Sequence, residues 1–236
     1  MIVAGFPAGS WGTNCYVVAP AAGEQCVVID PGQDATGGVA DIVREHRLQP
    51  VAVLLTHGHI DHTFSVVPVC GDYGVAAYIH PADRFMLTEP GRAVGLASNQ
   101  QLFGGMEFAE PDDVIELTGH DSVSLAGLDF VVDHTPGHTK GSVTFRLGDA
   151  IFFSGDLLFA GSIGRTDFPG GDYDEIMESL ARVVLPLPDE LPVLSGHGSA
   201  TTVGDERAYN PFLAEAIARA KGEAPASALW VPGQGL

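Results

Sequence analysis

Positive charge is scarce in this sequence. Of 236 residues, 11 are Lys or Arg against 30 Asp and Glu, giving a formal net charge of −19, and Lys occurs only at Lys140 and Lys221. A protein binds a polyanion by displacing its counterions with Lys and Arg, so nucleic acid is excluded as a partner class, and an anionic membrane surface is disfavoured on the same ground. Long apolar runs are missing too. None approaches the ~18 residues that cross a bilayer, and no transmembrane segment is expected. The opening stretch MIVAGFPAGSWGTNCY has no basic segment and is broken by Gly, Pro and Asn, unlike a secretory signal. Cysteine is sparse, at Cys15, Cys26 and Cys70. An odd, widely spaced set argues against a disulfide framework and predicts a reducing, cytoplasmic setting. Repeats and low-complexity tracts are absent. What is present is 45% hydrophobic residues with only 17% charged, enough apolar material for one domain over 1–236.

Short apolar runs alternate with Gly, Pro and Asp. NCYVVA (14–19) and CVVID (26–30) read as strands, and 36–47 has helical spacing ending before Pro50. VAVLLT (51–56) reads as a buried strand, followed by a strand at 75–80. Residues 81–112 form an insertion with short helices. Residues 122–137 read as a hairpin around Gly127, and 142–147 and 150–155 as two strands joined by a tight Gly-Asp turn. A helix over 173–185, a last strand at 191–198 and a short C-terminal helical extension over 205–236, interrupted at Pro211, complete the chain. The expected form is two β-rich halves with helices.

Histidine and aspartate gather at the predicted strand ends. His57, His59 and His62 lie within six residues, with Asp61 among them. At this chain's own frequencies of 9 His and 18 Asp, that pattern arises by chance about once in a thousand such chains. In an extended H-x-H, residues i and i+2 point the same way, so His57 and His59 can share one cation, while Asp61 and His62 face a neighbouring position. His138, Asp156 and His197 recur in the same context, just past a strand. Four strand ends thus deliver five His and two Asp. That number suits two metals, with three His on one, Asp and two His on the other, and one Asp bridging. A mixed imidazole and carboxylate set accepts Zn²⁺, Fe²⁺ or Mn²⁺. His46, His80 and His120 read as surface residues, and His134 lies near the site.

HGHIDH, TPGHTKGS, SGDLLF and SGHG, in this order, resemble the metallo-β-lactamase superfamily over most of the chain. Asn14-Cys15-Tyr16 and VVIDPG (27–32) are similar to its N-terminal strands. GSIGRTDFPGG (161–171) and GHGSATTVGDERAYNPFL (196–213) look like its glyoxalase II (hydroxyacylglutathione hydrolase) branch, in the short bacterial form. The resemblance implies a four-layer αβ/βα sandwich, an α/β (α+β) fold, with the metal site at one edge of the two sheets. It implies His57, His59 and His138 on a first divalent metal, Asp61, His62 and His197 on a second, and Asp156 between them, with Zn as the leading metal and Fe or Mn as alternatives. The implied activity is hydrolysis of an acyl-thiol, an S-lactoylglutathione-like thioester, by a metal-bridging hydroxide. Asp61 would orient that hydroxide as a catalytic residue. Two dications, two Asp and one hydroxide leave a local charge of +1 to stabilise an oxyanion.

Arg165 is the residue expected to grip a carboxylate of the thiol carrier. Longer members of the branch have further basic and aromatic carrier contacts. Here 39 residues follow His197, with only Arg207, Arg219 and Lys221 as cations, which leaves another low-molecular-weight thiol open. Asp30 is expected to hydrogen-bond a ligand histidine. The alternative on the same scaffold is a persulfide dioxygenase with one Fe²⁺ on His57, His138 and Asp156. A lactonase and a non-catalytic metal-binding protein rank below it. The expected partner is a small-molecule acyl-thiol, and nothing in the sequence specifies an oligomer.

Overall fold

The structure, a computed structural model, describes residues 1–96, 106–119 and 121–223. His120 and the apolar 226–236 segment lie outside the described residues, as does the middle of the 81–112 insertion. In the first half, β1 (Ile2–Ala8), β2 (Thr13–Ala19), β3 (Gln25–Ile29), β4 (Gln49–Leu54), β5 (Ala76–Ile79) and β6 (Val114–Glu116) form one sheet in chain order. Its first two pairings are antiparallel and the other three parallel. In the second half, β7 (Asp121–Leu125), β8 (Leu128–His134), β9 (Val143–Leu147), β10 (Ile151–Gly155), β11 (Pro192–Ser195) and β12 (Thr201–Thr202) form the other, again with neighbours in chain order. Only β10 and β11 pair in parallel there.

The continuous apolar runs are explained by burial on both faces. In β2, Cys15, Val17 and Ala19 enter an outer core with Val39 of helix α1 (Ala35–His46) and Val69 of helix α3 (Val66–Tyr73). The alternate residue Val18 joins Val27, Leu54, Phe130, Phe145 and Phe153 between the sheets. Phe152 points the opposite way from Phe153, into a third core with Ile176 of α5 (Tyr173–Ser179) and Leu213 of α7 (Pro211–Ala220). The period-2 geometry of a strand thus sorts one run into two cores. Helix, sheet, sheet and helix make the four layers of an αβ/βα sandwich, the expected class. Each fully buried Phe or Leu contributes about 1.5–3 kcal/mol to holding them together.

Several local details differ from the sequence reading. β1 and the three-residue β6 had no distinct pattern. Pro50, taken as a break, lies inside β4, where a register shift between Cys26 and Val27 accommodates it. The predicted helix over 173–185 changes after Ser179 into a π-helical turn, Leu180–Val184. β11 is not the last strand, since β12 pairs back on it before α6 (Val203–Tyr209). The hairpin at Gly127 is a two-residue turn in which Ala126 also takes a positive φ of 53°, as its twist demands.

Candidate metal centre

The seven candidate ligands converge where strand ends of both sheets meet. His57 follows β4 after Leu55 and Thr56. His59 caps the short helix α2 (Ile60–Thr63), whose turn carries Asp61 and His62. His138 follows β8, Asp156 follows β10 and His197 follows β11. Three trios of ligand atoms are each compact enough to hold an ion: His57–His59–His138, Asp61–His62–His197 and, between them, His57–His62–Asp156. Within the first, His138 Nε2 lies 2.9 Å from His59 Nδ1 and 3.2 Å from His57 Nε2. Within the second, His197 Nε2 lies 3.0 Å from Asp61 Oδ2 and 3.3 Å from His62 Nε2. Asp156 stands between them, Oδ1 3.3 Å from His62 Nε2 and Oδ2 3.4 Å from His138 Nε2.

The outer hydrogen bonds decide which ring nitrogens are bare. His138 Nδ1 lies 2.7 Å from the Arg165 carbonyl, which can only accept, so Nδ1 carries the proton. His62 Nδ1 donates to Asp30 Oδ2 at 3.0 Å. Thr56 gives its hydroxyl proton to the same Asp30 oxygen at 2.7 Å, leaving its own oxygen to accept from His57 Nδ1 at 3.1 Å. The Nε2 atoms of His57, His62 and His138 are therefore lone pairs turned on one another and on carboxylate oxygens. Such acceptors at 3.2–3.5 Å repel unless a cation lies among them. Asp156 Oδ1 is buried without any hydrogen-bond partner. The residues fit divalent ions on both counts.

Charge and burial agree for His57, His59 and Asp156. Burial, then the facing rings, pushes His57 well below its usual range, and burial with His138 takes His59 down to about 3. Both stay neutral, the form that binds metal. Burial opposes ionisation of Asp156, but His62, His138 and His197 outweigh it and hold the carboxyl at about 2. His62 moves the other way. Burial disfavours its cation, yet Asp156, Asp61 and Asp30 together raise it well above the usual range.

Glycines allow the strand ends to crowd. A Cβ on Gly196 would sit 2.3 Å from Asp156 Oδ1, and one on Gly164 2.1 Å from the Asp156 carbonyl. Asn14 donates to the carbonyls of Ser195 and Gly198 on either side of His197, pinning the second sheet's loop to the first sheet. The cluster opens into a cleft of about 610 Å³ lined also by Trp11, Val94, Arg165 and Phe168. Arg165 faces this cleft, but its guanidinium is held bidentately by Asp167 at 2.7 and 2.8 Å and lies 3.8 Å over the Phe168 ring. Its carbonyl, which the sequence did not single out, is what touches His138. His134 does not reach the cluster. It stacks on His80 with centroids 4.3 Å apart and bonds the Lys140 carbonyl. Thr56 and Gly196 went unnoticed in the sequence because neither carries metal-binding chemistry of its own.

A four-layer sandwich with a buried His/Asp cluster at the shared edge of its sheets is the build of a divalent-metal protein. A family model described as the Metallo-beta-lactamase superfamily matches residues 8–197, and the chain belongs to that superfamily. Among curated relatives, it is 35% identical to the hydroxyacylglutathione hydrolase GloC of Haemophilus influenzae, over 80% of this chain and 88% of the relative. Among solved structures, the BLEG-1 B3 metallo-β-lactamase is similar at 38% identity and a TM-score of 0.79, covering 90% of this chain and 99% of that one. TTHA1623, solved in a di-iron-bound form, is similar at 36% identity and a TM-score of 0.73, covering 90% and 100%. Among the described residues no helix is long and apolar enough to cross a membrane.

Proposed function

We propose that this protein is a metal-dependent hydrolase of acyl-thiols, of the glyoxalase II type, using two divalent ions, with Zn²⁺ as the leading choice. The observation that carries this reading is the pair of ligand trios on either side of Asp156, one carboxylate oxygen toward each. His57, His59 and His138 would hold one ion, Asp61, His62 and His197 the other, and Asp156 would bridge. Ions bound there lower the pKa of water toward neutrality and polarise a carbonyl oxygen. The relative named as a hydroxyacylglutathione hydrolase supports the thioester as substrate, and the di-iron neighbour supports a two-metal site while keeping iron in play.

The chain's own residues do the rest. Asp30, through His62 and Thr56, fixes the tautomers that leave Nε2 free. Asp61 is partly exposed to the cleft and accepts from the Thr13 hydroxyl at 3.3 Å, a position from which a carboxylate can orient a nucleophilic water. Trp11, Val94 and Phe168 give the cleft part of its apolar lining. Arg165 would meet a carboxylate of the thiol carrier, exchanging Asp167 for the substrate. The departing thiolate has a pKa near ~8.5, so little acid assistance is required.

The test is metal per chain together with turnover on S-lactoyl thioesters of glutathione and of other small thiols. Two metals and thioester turnover support the reading. One iron per chain with oxygen uptake on glutathione persulfide identifies a dioxygenase instead. Hydrolysis of a chromogenic β-lactam in place of thioesters assigns a lactamase. No turnover of any substrate after metal reconstitution leaves a metal-binding protein. An Asp61→Asn variant with full metal content and full turnover refutes the role given to Asp61.

A further inference from the structure

Asp83 lies in the turn between β5 and the 3₁₀ segment Arg84–Leu87, and it is wholly buried. No cation pairs with its carboxylate among the described contacts. Three donors do. Oδ1 accepts the Gly141 amide at 2.7 Å, and Oδ2 accepts the Gly58 amide at 3.0 Å and the Thr139 hydroxyl at 2.6 Å. Gly58 sits between His57 and His59. Thr139 and Gly141 directly follow His138. The first loop belongs to one sheet and the second to the other, so Oδ1 is bonded to the His138 loop and Oδ2 to both loops.

The two glycines make room for this contact. A Cβ at Gly141 would fall 2.6 Å from the Asp83 carboxyl group, and one at Gly58 2.7 Å from the Asp83 carbonyl. Thr139 is itself oriented by Ser142, whose hydroxyl lies 2.7 Å away and accepts the Thr139 amide at 3.2 Å. Burial raises the Asp83 pKa, while the three hydrogen bonds pull against that rise. The second trio has other supports: Asp30 on His62, and Asn14 on the His197 loop.

We propose that Asp83 is a positioning residue for the His57–His59–His138 trio, its carboxylate setting the spacing between the two loops that carry those ligands. The inference rests on the two-metal reading above. Asn is nearly isosteric, but it would aim an NH₂ group at an amide or hydroxyl donor. One loop must then retreat, and displacing a group that orients metal ligands weakens metal affinity about 10–100-fold.

The experiment dialyses purified holoprotein against graded concentrations of a chelator and counts metal per chain, for wild type, Asp83→Asn and Thr139→Val, with circular dichroism to verify folding. In Asp83→Asn one equivalent should be released at about 10–100-fold lower chelator strength, the other as in wild type. Thr139→Val, which removes one of three donors, should shift the same equivalent by less, and it decides the matter by the same criterion if Asp83→Asn fails to fold. Both equivalents shifting together, or neither shifting, overturns the proposal. Wild type holding a single metal refutes the two-metal reading separately. In that case Asp83→Asn must still weaken that equivalent, and unchanged affinity overturns the role of Asp83.

Discussion

Gly196→Ala is a sharp test of how tightly the cluster is assembled. Gly196 is where β11 passes the end of β10, donating to the Gly155 carbonyl at 2.8 Å and accepting from the Asn14 amide at 2.7 Å. Its backbone is not left-handed, so alanine has no conformational objection. The added methyl would lie 2.3 Å from Asp156 Oδ1 and 2.6 Å from His62 Cε1, where ordinary contact begins near 3.4 Å. About 1 Å must be recovered by moving two buried side chains that are both proposed ligands. Metal–ligand distances tolerate roughly 0.2 Å, so the variant should lose metal and thioester turnover before it loses its fold. Overpacking of this kind costs about 1–3 kcal/mol. For a chain of this size each kcal/mol lowers Tm by about 2–4 °C, so a fall of about 2–12 °C is expected. The control is Gly37→Ala, an exposed helical site in α1 with nothing within 4 Å, which should gain about 0.5–1 kcal/mol. Elemental analysis, thermal unfolding and turnover are measured on both. A Gly196→Ala protein with wild-type metal content and a Tm within 1 °C of wild type refutes the reasoning.

Three further outcomes follow from the same geometry. Asp30→Asn should fold but bind metal about 10–100-fold more weakly, because an amide facing His62 Nδ1 favours the tautomer whose proton sits on Nε2; unchanged metal affinity rejects the tautomer argument. Arg165→Ala should raise KM for thioesters of an anionic carrier with little change in kcat, and an unchanged KM removes Arg165 from substrate binding. Burial and the stacked His134 hold His80 down to about 4, so between the unfolded value of about 6.5 and 4 only the unfolded chain takes up this proton. Wild type should therefore lose stability relative to His80→Gln as pH falls from 7 to 4.5, and a constant Tm gap between the two contradicts it.

Much of the fold was legible because its strands alternate so plainly with turn residues. The hairpin at Gly127, the strands flanking Gly148 and the helix ending at His46 all rest on local chemistry of this sort. β1 and β6 were not legible, since Gly5 and Pro7 interrupt the β1 stretch IVAGFPA and β6 is only three residues long. Pro50 misled for a related reason, because a proline's damage depends on which of its neighbours needs the missing amide. In the candidate centre, the histidines and aspartates announced themselves by type and by their place after strands. Thr56, Asp83 and Gly196 did not. A hydroxyl, a carboxylate in a turn and a glycine are each ordinary in sequence, and their parts follow only from which loop another strand brings alongside.

By itself the sequence determined the period-2 runs, the punctuation between them, the net charge of −19 and the inventory of metal-binding side chains, all properties of single residues or near neighbours. Only the tertiary structure decided that His138 Nδ1 meets a backbone carbonyl, that His62 meets Asp30, and that Arg165 is occupied by Asp167. Those contacts depend on two sheets being packed at a given register. A sequence fixes which groups can bond, and the packing of distant strand ends selects which of them do.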